Sequence, residues 1–207
     1  MRKTWRFLRK RKNRPIIITT LAMVTLLVLL NPVKLFMPPR VNPTAYQPLL
    51  NTIAQGESNG NYNAYYGNAH NTDIHFTDMT IAQVLDWQRQ YVASGSPSSA
   101  VGRYQIIHPT MLGLVAQLQL DTTAKFDASM QDRLAITLME RRGSVAFVYK
   151  KLTEQEFAAN LAKEWASLPR MTGPDPGKSY YTDDGLNTAR VSIPAVTTAV
   201  RQLQLHK

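Results

Sequence analysis

One carboxylate, Glu57, ends an apolar helical pattern and precedes a run of Gly, Asn and Tyr in the stretch IAQGESNGNYNAYYGN, residues 53–68. A carboxyl in that place serves as a general acid if it is held partly out of water, because desolvation raises its pKa toward the working pH. A helix C-terminus adds to the effect, since its partial negative charge disfavours a second one. The alternative is a solvated Glu at a helix end, and residue type alone leaves both readings open.

Two further stretches carry groups suited to sugars. In SAVGRYQII, residues 99–107, Tyr104 offers a flat face and a hydroxyl, and Gln105 offers donors and acceptors at fixed spacing. The competing reading is a loop before a helix, with Tyr104 buried. In EWASLPRMTGPDPGKSYYTDDG, residues 164–185, a helix stops at Pro169 and a Gly-rich loop presents Tyr180 and Tyr181, placed for ligand contact or for packing on the core. Asp73 and Asp78 are candidates for a second carboxylate, Asp78 lying just before a helix start, where N-terminal amides keep it ionised. His70, His75, His108 and His206 show no ligand spacing and Cys is absent, so no metal is expected. No phosphate-binding Gly loop or Ser-centred nucleophile elbow is present, and no cofactor is expected.

The elements that must position these groups read as mostly helical. Leu49, Leu50, Ile53 and Ala54 repeat at helical spacing up to Gly56. Residues 59–78 are rich in Asn, Gly, Tyr and Thr, with a short alternation around Ile74 and Phe76, and predict a small β-hairpin or irregular wing. Thr80 with Gln83 forms a capping box opening a helix to about Tyr91. Pro109 fits the first turn of a helix to about Leu120, and Asp127 caps one to about Arg142, closed by Gly143. Thr153 with Glu156 opens another to about Ser167, and Ser192 starts the last. The expected fold class is α+β, a mostly α-helical domain over residues 49–207 with a small β-wing, preceded by one transmembrane helix.

That preceding helix is expected from the N-terminal region. Residues 1–14 hold eight of the chain's 24 Lys and Arg and no acid, so the net charge of +10 belongs largely to this tail. The remainder balances 16 basic against 14 acidic residues, which argues against a nucleic-acid-binding domain. IIITTLAMVTLLVLL, residues 16–30, is uncharged and apolar, and no small-x-small cleavage site follows it. We therefore expect a transmembrane anchor over 15–36. The basic flank keeps the N-terminus cytoplasmic, against anionic lipid headgroups, with the domain outside. Residues 37–48, with four prolines, read as a stiff spacer.

Taken together, the ordered segments Gly56-Glu57-Ser58, Thr77-Asp78, Gly102-Arg103-Tyr104-Gln105 and Trp165-Ala166-Ser167-Leu168-Pro169 resemble the lysozyme-like lytic transglycosylases typified by the phage lambda endolysin. The resemblance covers about residues 47–190. It implies peptidoglycan as substrate, Glu57 as the catalytic acid, and a cleft lined by Asp78, Tyr104, Gln105 and the loop after Pro169. It implies cleavage of the β-1,4 bond between N-acetylmuramic acid and N-acetylglucosamine by one carboxylate, leaving a 1,6-anhydro end. A hydrolase using Asp78 or Asp73, or a non-catalytic peptidoglycan-binding scaffold, stays open. A membrane-anchored enzyme in the periplasm suits local opening of the wall for a secretion, conjugation or phage apparatus. The anchor segment has no Gly and one Ala, unlike segments that leave the membrane during phage lysis.

Overall fold

The computed structural model describes residues 41–205. The basic tail, the anchor expected over 15–36 and residues 37–40 of the expected spacer lie outside them. Among the described residues no helix is long and apolar enough to cross a membrane.

Seven α-helices form the described domain. α1 spans Gln47–Ser58, α2 Ile81–Ala93, α3 His108–Leu118 and α4 Ala128–Arg141. The short α5 covers Ser144–Val148, α6 Glu154–Ala162 and α7 Ile193–Leu205. Both expected capping boxes form: Thr80 accepts from the Gln83 N–H and Thr153 from the Glu156 N–H, each with the reciprocal side-chain bond. Asp127 accepts from the Met130 N–H, and its carboxyl is held below the usual range by that bond. α1 packs along α7, which also takes α6. Ile53, Leu134, Phe157, Leu161 and Val200 are fully buried, each removing apolar surface worth about 1.5–3 kcal/mol.

Two expectations are corrected and an open one is decided. The spacer does not extend to residue 48: Pro43–Tyr46 is a turn of 3-10 helix leading into α1, with Val41, Ala45 and Tyr46 buried. Pro43 and Pro48 sit in the first turns of their helices, where a missing N–H costs nothing and the fixed φ fits. Burial pushes the Tyr46 phenol up to about 12, and its hydroxyl pairs with Ser144 Oγ at 2.9 Å.

Of the hairpin and the irregular wing expected over residues 59–78, the irregular wing forms and the hairpin does not. Only isolated bridges occur among the described residues, and Phe76–Asp78 is a 3-10 turn. Asparagine amides stand in for a strand ladder. Asn61 donates to the Ala69 and Asn71 carbonyls, Asn71 donates to those of Asn63 and Ile74, and Asn63 accepts from the Thr77 N–H. Side-chain amides that satisfy the backbone locally compete with sheet pairing.

The helix expected to reach Ser167 ends at Ala162, and residues 163–168 run in turns. Those turns bury Trp165 and Leu168 and leave the Ser167 N–H outside any helix ladder.

Candidate active site

Glu57 is the penultimate residue of α1, and the helix ends beyond it in a sharp reversal. Asn59 and Gly60 both take left-handed φ values, 53° and 84°, and the Gly60 N–H reaches back to the Ala54 carbonyl at 3.0 Å. The Asn-Gly pair supplies that conformation where other residues resist it. Ser58 ties the helix end to the segment beyond: its Oγ donates to the Arg103 carbonyl at 2.7 Å. Glu57 is thereby turned into a cleft of about 950 Å³.

The opposite support comes from 110 residues away. The Ser167 N–H donates to Glu57 Oε1 at 3.0 Å. The Ser167 carbonyl in turn accepts from the Arg190 N–H at 2.8 Å and the Val191 N–H at 3.1 Å. Gly56 makes this approach possible. A Cβ there would stand 2.5 Å from Ser167 Oγ, 2.7 Å from Ser167 Cβ and 2.7 Å from Val191 Cγ2. Glu57 is half-buried, and burial raises its pKa above the ordinary carboxylate value. The Ser167 N–H and hydroxyl, then the Arg190 guanidinium, pull the other way but do not cancel the rise.

The second wall is the 99–107 segment, a tight turn closed by paired backbone bonds between Val101 and Ile106. Gln88 and Gln131, both fully buried, hold it. Gln88 donates to the Ser99 and Ile106 carbonyls, and Gln131 accepts from the Arg103 N–H. Gln105 lines the cleft in a left-handed conformation, φ 47°, with its amide on the Gly102 carbonyl. A non-glycine residue held there is strained, a frequent mark of a functional turn. A third wall is aromatic. Tyr65 and Tyr66 face the cleft, and behind Tyr65 lie Trp87 and Tyr91, each edge-on to its ring at 5.4 Å.

The expected site residues divide. Glu57, Gln105 and Tyr181 come together in the cleft, where Tyr181 is 40 % exposed and its hydroxyl donates to the Lys163 carbonyl at 2.8 Å. Tyr104 touches the cleft but is buried. Its hydroxyl donates to Asp132 at 2.6 Å and accepts from Arg103 at 3.0 Å, and burial with the Asp132 bond drives its pKa upward. It therefore serves as a strut, not an open platform. Tyr180 lies off the cleft wall, half-buried beneath Arg170. Asp78 and Asp73 are exposed and absent from the cleft wall. Asp78 ends the 3-10 turn Phe76–Asp78, off the cleft wall.

Two other carboxylates do line the cleft, and both are committed. Glu164 pairs with Arg142 at 2.6 Å. The Asn187 amide and the Leu186 N–H hold the Asp184 carboxyl below its usual range. No group of His, Asp or Glu among the described residues could hold a metal ion. Sequence reading missed Ser167 and Arg190 as supports of Glu57. Ser167 sits in a segment the sequence singled out, yet the aim of its N–H has no sequence signal, and Arg190 has none at all. One carboxyl free of ion pairs among the described residues, held by a backbone N–H in a polar and aromatic cleft, fits acid–base cleavage of a polar polymer.

A family model described as Endolysin matches residues 47–188. No curated protein and no solved structure matches the chain.

Proposed function

The chain belongs to the Endolysin family, lysozyme-type enzymes that degrade peptidoglycan, and from that premise we propose that it is a lytic transglycosylase with Glu57 as its only acid and base. The carrying observation is that Glu57 lines the cleft with the Ser167 N–H on its Oε1 and no ion-pair partner among the described residues, while Glu164 is paired with Arg142 and Asp184 is held by Leu186 and Asn187. Most glycosidases use a pair of carboxylates. A lytic transglycosylase needs one.

The Glu57 carboxyl gives its proton to the glycosidic oxygen between N-acetylmuramic acid and N-acetylglucosamine as the C1–O bond breaks. The resulting carboxylate takes the proton of the sugar's own 6-hydroxyl as that oxygen bonds C1. The product carries a 1,6-anhydro ring, Glu57 regains its proton, and no water is consumed. Tyr65, Tyr66 and Tyr181 offer faces for sugar rings, and Gln105 offers donors for their hydroxyls.

The test is mass spectrometry of fragments released from purified peptidoglycan by the full-length protein, with Glu57→Gln alongside. Anhydro ends, absent with the variant, are expected. Reducing ends would make it a hydrolase and bring Glu164 or Asp184 into the mechanism. No release by either protein would leave a binding scaffold. The anchor expected at 15–36 belongs to the same reading: inner membrane, N-terminus cytoplasmic, enzyme domain periplasmic, beside an apparatus that must cross the wall. Extraction of the native protein by carbonate at high pH, without detergent, would refute the anchor.

A further inference from the structure

Arg190 and Ser167 are joined to Glu57 by a short chain of bonds. The Arg190 N–H donates to the Ser167 carbonyl at 2.8 Å, and the Ser167 N–H donates to Glu57 Oε1 at 3.0 Å. Both residues line the cleft with Glu57. Ser167 is 4 % exposed, and its Oγ, near enough to favour the Glu57 carboxylate, completes no hydrogen bond in the resting cleft. A buried polar atom without a partner is costly, and near a reacting carboxyl it marks a bond to be completed during the reaction. Arg190 forms no ion pair among the described residues, and it lies beyond the segment 47–188 that the family model matches.

We propose that Ser167 and Arg190 form a socket that receives the negative charge of Glu57 once its proton has left, and that they thereby set the upper pH limit of the reaction. The inference rests on Glu57 being the catalytic acid. Before bond cleavage Glu57 is neutral and takes the Ser167 N–H alone as a hydrogen-bond donor. Afterwards the carboxylate keeps the Ser167 N–H and has the Ser167 hydroxyl and the Arg190 charge, both on the same cleft wall, to favour it. The charge is stabilised by groups already in place, so little reorganisation is needed. These are positioning residues, since neither exchanges a proton with the sugar.

The other ionisable groups around the cleft are accounted for. Arg142 and Glu164 are paired, Asp184 is held by Leu186 and Asn187, and Lys163 is exposed near the Tyr180 ring. Tyr65, Tyr66, Tyr104, Tyr181 and His70 complete the set. Of these His70 carries the one imidazole on the cleft wall, so His70→Gln serves as the control.

The experiment measures kcat/KM against pH for release of labelled glycan from peptidoglycan by the full-length protein. Loss of the acid form of Glu57 sets the alkaline limb. Arg190→Gln removes a charge that favours the carboxylate, so Glu57 stays protonated to higher pH. The limb is expected to rise by about 0.5–1 unit, the exposed site being partly screened. Arg190→Lys should restore it, and His70→Gln should leave it in place. Ser167→Ala keeps the N–H and loses the hydroxyl, and its limb should rise as well. Added salt should lift the wild-type limb toward that of Arg190→Gln and leave the variant unmoved. A limb shared by wild type and Arg190→Gln, with Glu57→Gln inactive, would overturn the socket and spare the catalytic assignment. An active Glu57→Gln would overturn both. The limb position does not depend on how much protein is folded, so a merely destabilised variant cannot imitate the result.

Discussion

Gly56→Ala puts the packing behind Glu57 to a direct test. A methyl group there meets three atoms inside 3 Å, Ser167 Oγ, Ser167 Cβ and Val191 Cγ2. None is the far end of a long side chain, and the Ser167 backbone is fixed by bonds to Glu57, Arg190 and Val191. Overpacking of this kind costs roughly 1–3 kcal/mol. Replacing glycine by alanine within a helix returns up to about 1 kcal/mol. With the full return the net expectation is a loss of up to about 2 kcal/mol, read as a lower urea midpoint with an unchanged slope. Activity should suffer more than stability. The methyl pushes Ser167 off Glu57, and a misplacement of about 1 Å at a reacting group lowers rate by roughly 100-fold. Equilibrium urea unfolding and kcat on purified peptidoglycan are the two measurements. A variant as stable as wild type and equally active would show that Ser167 does not rest on α1 as described.

Three further outcomes are expected. Glu57→Gln should raise Tm at pH 8 and leave it unchanged at pH 4: a raised carboxyl pKa stabilises the fold below the unfolded value and loses that contribution as pH climbs through the folded one. Equal Tm differences at both pH values would refute the desolvation of Glu57. Tyr104→Phe leaves Asp132 and Arg103 each short of a partner and should cost about 1–3 kcal/mol in urea unfolding, while kcat per folded molecule stays near wild type. A large fall in kcat at unchanged stability would return Tyr104 to the substrate. Asp78→Asn should leave kcat/KM within about twofold of wild type, because its carboxylate is off the cleft; a loss of about 100-fold would reinstate it as the second carboxylate.

Much of the helical frame was legible in the chain because its signals are local. Thr80 with Gln83, Thr153 with Glu156, and Asp127 act within one turn, so a capping pattern in sequence becomes a cap in structure. The wing stayed open between hairpin and irregular loop because Asn, Gly and Tyr suit both. The choice fell to Asn61, Asn63 and Asn71, whose amides bind backbone groups up to 14 residues away. Tyr104 misled: its hydroxyl is a sugar donor until Asp132, 28 residues on, takes it into the interior.

The same division holds at the site. Sequence by itself determined that a lone carboxyl ends an apolar helix and is followed by residues able to turn the chain. It also carried enough ordered segments to indicate the family. Tertiary structure alone decided that Glu57 is desolvated, that the Ser167 N–H meets it, that Arg190 stands by, and that Asp78 does not. Capping and helix periodicity are fixed by neighbours three or four residues apart. Desolvation and charge are summed over every group that the fold brings near, and those groups come from segments 110 residues or more along the chain.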